Sequence, residues 1–153
     1  IIEEGMLAAQ RSQDAVLAEM PEGAAASEIL YALALNHLCV LWLPGNDFVP
    51  VMLHEWRSIT PGQRKKIQVL KDAYEEPWRR VLEALQEQGR LGTSTSLARL
   101  MLFGILHGTM RWFDPKGRLG LEQLAQECVN ALVARPQAGK AGRKPAAASS
   151  KGR

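Results

Sequence analysis

Cysteine is scarce in this 153-residue chain, with only Cys39 and Cys128 present. The two are far apart and lie in helical stretches, so no disulfide framework organises the fold. Each reads as a buried free thiol. Histidine is nearly as scarce: His37, His54 and His107 fall in three different segments and lack the spacing of a metal site. HExxH, ExxH, CxxC, GxSxG and GxxxxGK[ST] are all absent. The missing ExxH pairs argue against a ferritin-like di-iron bundle. The expectation is therefore a protein that is not an enzyme and holds no metal and no cofactor.

Other absences bound the class. No stretch alternates apolar and polar residues with a period of two, which argues against sheet. The most apolar run, Leu97 to Phe113, is interrupted by Arg99, His107 and Arg111, so a membrane span is not expected. The chain opens Ile-Ile-Glu-Glu without a basic segment, so no signal peptide is expected. These features point to a cytoplasmic protein. The chain also opens without methionine and inside a helix, as expected of a fragment or of the ordered part of something longer.

Acidic residues are missing from one end. Six of the 19 lysines and arginines lie from Arg135 onward, leaving 13 against 16 acidic residues in 1–134, a net of −3. The overall charge of +3 therefore belongs to the tail. That tail, 135–153, has no large apolar residue to offset the entropy of ordering, and reads as a disordered basic end.

Apolar residues at helical spacing dominate the rest. They predict helices over about 1–20, 24–43, 48–58, 61–89, 95–112 and 121–134: an all-α fold of about six helices. The sharpest local signal is Thr60-Pro61-Gly62-Gln63, with a capping threonine, proline in the first helical position and glutamine three residues after the cap. Pro77 lies inside the long fourth helix, where a kink is expected. Asp114-Pro115-Lys116-Gly117 is a tight turn leading to the last helix.

Two constellations remain. The fifth helix is apolar nearly all round from Leu97 to Ile105 and carries glycines four apart, Gly104 and Gly108. An all-round apolar helix is buried on two sides, one against its own core and one against a partner, most simply a second copy of the chain. The glycines either let a second backbone approach or make room for a bulky neighbour in the same chain. The interface residues this predicts are Leu97, Met101, Gly104 and Gly108, joined by Leu121, Leu124, Cys128 and Leu132 of the amphipathic last helix. The second constellation places polar and aromatic residues on apolar faces: His37, Trp42, Trp56, Tyr74, Trp78, His107 and Arg111, with Asn36. Taken singly each is a satisfied core residue. Taken together beside Pro77 they are candidates for lining a ligand pocket. Arg111 either touches the ligand or caps its helix.

The order of these features resembles the C-terminal regulatory domain of the tetracycline-repressor (TetR) family. The likeness rests on "MRWFDPKGRLGLEQLAQECVNAL", an Arg-Trp-aromatic helix end, a Pro-x-Gly turn and a Leu-x-x-Glu-x-Leu-like helix. It rests also on "ITPGQRKKIQVLKDAYEEPWRRVLEALQEQG", with its Tyr-x-x-x-Trp pair, Tyr74 and Trp78. The resemblance implies a homodimer whose last two long helices from each subunit form a four-helix interface. It implies a hydrophobic small-molecule effector, and an acyl-CoA thioester in the branch these motifs resemble most. Operator DNA would be read by an N-terminal helix-turn-helix domain absent from this sequence. Residues 1–134 would be the effector-binding and dimerisation domain of a transcriptional repressor. The alternative is a helical protein-interaction module with no small-molecule ligand. His107-Gly108 stands where relatives often carry Asn-Trp, so ligand contacts there do not transfer.

Overall fold

The computed structural model describes residues 2–45 and 48–136. Most of the expected tail, 137–153, lies outside the described residues, as does the Asn46-Asp47 part of the expected loop. Six α-helices make the fold: α1 Ile2–Glu19, α2 Ala26–Trp42, α3 Phe48–Glu55, α4 Pro61–Glu87, α5 Thr95–Gly108 and α6 Leu121–Leu132. Single 3-10 turns extend α3 (Trp56–Ser58) and α5 (Thr109–Arg111). Among the described residues there is no sheet, only an isolated antiparallel bridge between Leu91 and Val133. No helix among them is long and apolar enough to cross a membrane.

The helix ends follow local chemistry. At α4 the Thr60 side chain accepts from the Gln63 backbone N–H (3.3 Å) while Gln63 Oε1 accepts from Thr60 N–H (3.2 Å), the reciprocal box its sequence predicts. At its other end, Gly89 N–H bonds Gln86 C=O and Arg90 N–H bonds Leu85 C=O, both at 2.9 Å. This Schellman arrangement needs the φ of +68° that Gly89 supplies. Of Thr93 and Ser94, the two hydroxyl residues before α5, Ser94 is the one that caps, accepting from Leu97 N–H. Pro77 sits within an unbroken α4.

Helix α2 is central. Its Leu30, Leu33, Ala34 and Leu38 are fully buried, and it packs against α1, α4, α5 and α6. Trp78, Leu82 and Leu85 of α4 and Ala98, Leu102 and Leu106 of α5 complete the same core. Helix α6 lays Leu124, Ala125, Cys128 and Val129 on it. The expectation for α6 needs correcting here. Leu124 and Cys128 are only 4% and 3% exposed within one subunit, because α2 covers that face. They offer no surface to a partner, and the outward face of α6 carries Glu122, Gln123, Gln126 and Asn130. Leu121 and Leu132 are half-buried at the edge of the same core.

Helix α5 is buried on one side only. At 100° per residue, positions 97, 100, 101, 104, 105 and 108 share an outward arc. Leu97, Leu100, Met101 and Ile105 on it are exposed, Leu100 by 61%. A Cβ added at Gly104 or Gly108 would meet nothing within 4 Å. Among the described residues, the two glycines therefore make room for no bulky neighbour in the same chain, which favours the other reading of the pair.

Candidate functional site

A row of buried polar side chains crosses the core from α4 to α5. The Tyr74 hydroxyl lies 2.8 Å from His37 Nδ1, and His37 Nε2 lies 3.0 Å from His107 Nε2. Aromatic contacts hold the row in place: Trp78 meets His37 edge-on at 5.8 Å, and Phe103 packs against Trp78, His37 and His107. Burial lowers the pKa of His37 to about 3, helped by the neighbouring His107. Burial also lowers that of His107, with Lys71 acting in the same direction. Both imidazoles are therefore neutral at neutral pH. Burial pushes the Tyr74 phenol well above its ordinary range, only partly offset by Asn36 beside it. The Asn36 amide nitrogen completes no hydrogen bond of its own.

His107 forms a wall common to two spaces. On one side is a small, almost wholly apolar cavity of about 50 Å³ bounded by Met6, Ala9, Val40, Met52 and Phe103, with His37 and Tyr74 also in its wall. Lys71 and Glu75 stand at its edge, where Glu75 pairs with Arg99 and, at 3.7 Å, with Lys71. On the other side is an open groove of about 920 Å³ between α2, α3 and α5. Its walls include Trp42, His54 and Met110, its edge Arg111, and its α5 side Gly104 and Gly108.

The seven candidate ligand residues divide. Tyr74, His37 and His107 meet at the cavity, and Trp42, His107 and Arg111 at the groove. Trp78 is fully buried, its indole N–H donating to Gln13 Oε1 at 2.7 Å, so it supports the site from behind and presents no surface to a ligand. Trp56 lies elsewhere, beneath the Arg64 guanidinium at 5.5 Å, in a shallow groove with Pro61, Lys65 and Val69. Arg111 makes no hydrogen bond or ion pair among the described residues. The hydroxyl that reaches back to the end of α5 is that of Thr109, donating to Leu106 C=O at 2.6 Å and accepting from Trp42 Nε1 at 3.1 Å.

Sequence reasoning missed Gln13, Lys71, Glu75, Arg99 and Phe103. Gln13 carried a signal: it is a polar residue in the apolar stripe of α1. It is fully buried, and its amide also donates to Tyr74 C=O at 2.9 Å. The others look like ordinary surface charges or core residues until α4 and α5 pack. No group of three or more His, Cys, Asp or Glu side chains among the described residues is arranged to hold a metal ion.

The family model for the tetracyclin repressor-like C-terminal domain matches residues 23–135. No curated protein matches the chain. Among solved structures, the crystal structure of the superantigen PfiT superposes with a TM-score of 0.74 at 27% identity, over 86% of this chain and 69% of that one. PfmR, a TetR family transcriptional regulator from Thermus thermophilus, gives 0.63 at 28% identity, over 84% and 70%. AibR in complex with isovaleryl coenzyme A and operator DNA gives 0.71 at 22% identity, over 86% and 70%, a likeness of fold alone. One architecture thus carries differently named proteins, so function has to be argued from the site.

Proposed function

The chain belongs to the tetracyclin repressor-like C-terminal domain family, and from that premise we propose that it is the effector-binding and dimerising part of a TetR-type transcriptional regulator. The observation that carries this reading is the pair of spaces sharing His107: a small apolar cavity inside the helix bundle beside a large open groove edged by Arg111. The pair suits a molecule with a short apolar end and a bulky polar body. An acyl-CoA thioester has that shape, and AibR, which shares the fold, has been crystallised with one. Operator DNA is read, on this proposal, by a helix-turn-helix unit that these 153 residues do not include. Effector occupancy acts on it by stabilising one of two conformations, and can shift them only by its differential affinity.

Thermal-shift and calorimetric titration with acyl-CoA esters of two to eight acyl carbons tests the effector. Short esters should raise the melting temperature and long ones should not. No response across the series refutes the acyl-CoA reading.

The second copy of the chain docks, on this proposal, on the outward arc of α5, where Leu97, Leu100, Met101 and Ile105 surround Gly104 and Gly108. Covering a leucine fully contributes about 1.5–3 kcal/mol, and the open space over the glycines admits a second backbone closely. Equilibrium sedimentation should give a dimer at micromolar concentration; a monomer there refutes it.

A further inference from the structure

The row Tyr74–His37–His107 has a direction, and that direction selects a ligand group. A neutral imidazole carries one N–H and one acceptor nitrogen, so protons along the row run one way or the other. If His37 donated from Nδ1 to Tyr74, the buried tyrosine hydroxyl would need a different acceptor for its own proton. Among the described residues there is none. The Asn36 Oδ1 beside it takes the Ser12 hydroxyl at 2.6 Å, an O–H···O separation that leaves the amide nitrogen, a donor only, on the other side. An unsatisfied buried donor is costly, so the Tyr74 O–H donates to His37 Nδ1. His37 then carries its proton on Nε2 and donates to His107 Nε2. The His107 proton is left on Nδ1, which has no partner among the described residues.

From this we infer that His107 Nδ1–H is a carbonyl-reading donor at the mouth of the apolar cavity, with Tyr74 and His37 as positioning residues that fix its tautomer. The inference rests on the effector reading above and narrows it to short-chain acyl compounds. The bonds align head to tail, so each polarises the next. The cavity of about 50 Å³ holds roughly two non-hydrogen atoms, on the scale by which a cavity of about 150 Å³ takes the six carbons of benzene. That is the end of a short acyl chain such as butyryl. A carbonyl at the tail's end reaches the shared wall formed by His107, and the rest of the molecule extends into the groove. A hydroxyl or amine in the same place meets a donor and gains less.

The test compares butyryl-CoA with S-butyl-CoA, the thioether of the same chain length that lacks the carbonyl, on the 153-residue chain. The thioester should bind about tenfold more tightly, the worth of one buried hydrogen bond of about 1.4 kcal/mol. His107→Phe and Tyr74→Phe should each bring the ratio close to one. Tyr74→Phe keeps the ring and removes only the hydroxyl that sets the direction. Long-range ¹H–¹⁵N spectra read the tautomers without ligand: His107 should be Nδ1–H and His37 Nε2–H. Both should lose that preference in Tyr74→Phe, which a purely structural tyrosine would not cause. Equal affinity of the two compounds for the unaltered chain overturns the carbonyl assignment while leaving the effector reading intact. His107 found as the Nε2–H tautomer overturns the direction of the row. Binding of neither compound removes the acyl-CoA reading and this inference with it.

Discussion

Replacing Gln13 with leucine isolates the contact that ties α1 to the site. Gln13 is fully buried and spans Pro77: its amide nitrogen donates to Tyr74 C=O at 2.9 Å and its oxygen accepts from Trp78 Nε1 at 2.7 Å. Leucine keeps roughly the same volume, so the loss is of hydrogen bonds and not of packing. The Trp78 indole N–H is left buried without an acceptor, which costs about 1–3 kcal/mol, and the bond to Tyr74 is worth about 0.5–1.5 kcal/mol net. Together, Gln13→Leu should destabilise the fold by about 2–4 kcal/mol. Urea denaturation followed by helix signal and by tryptophan fluorescence, at fixed protein concentration, measures it. The midpoint should fall by about 1–2 M with the slope unchanged. Gln10→Leu, three residues earlier, breaks only a surface bond to Asp14 and should change stability by less than about 0.5 kcal/mol. A Gln13→Leu midpoint within 0.2 M of the parent's, roughly the scatter of such an extrapolation, would show that the bridge holds nothing.

Changing Gly104 and Gly108 to alanine should raise the stability of the isolated subunit by up to about 1 kcal/mol per site, since each added methyl enters open space. The same change should weaken self-association in equilibrium sedimentation, and an unchanged association constant separates the glycines from the interface. The buried imidazole of His37 predicts a pH dependence. Its folded pKa of about 3 lies below the ordinary 6.5, so between those values the unfolded chain binds the proton that the folded chain refuses. Stability should be full above about pH 6.5 and fall as pH drops toward 3, by on the order of 5 kcal/mol at most. The rings in contact with His37 are Tyr74 and Trp78 of α4 and Phe103 and His107 of α5, none of them anionic, and the Glu75 carboxylate at the cavity edge is already paired with Arg99 and Lys71. Chemical denaturation at pH 7 and pH 5 reads the loss, and His37→Gln should flatten it if the variant folds.

The pattern of apolar residues was enough to place six helices within two residues of their observed ends, once the 3-10 turns that extend α3 and α5 are counted with them, because helical periodicity and capping are local. The Thr60–Gln63 box and the turn at Asp114 lie within a few residues of their partners, and both were legible. The family likeness was legible for the same reason: it resides in contiguous motifs at 103–132 and 59–89. The site was legible only in part. His37, Tyr74 and His107 were singled out as polar residues on apolar faces, but so were Trp56 and Trp78, and nothing local distinguished them. Trp56 lies on the surface under Arg64, and Trp78 lies behind the site with its N–H already taken.

Sequence alone therefore determined what each segment is: an all-helical domain, its breaks, its caps and its family. Tertiary structure decided what each face meets. The bonds that build the site join residues far apart in the chain, Gln13 with Tyr74 across 61 positions and His37 with His107 across 70. Periodicity marks a face as apolar without saying which helix will cover it. For α6 the covering helix is α2 of the same chain, while for the outer arc of α5 no helix among the described residues supplies it. The physical reason is that burial is non-directional. Any apolar face can satisfy another, and only the packed arrangement of helices selects the pair.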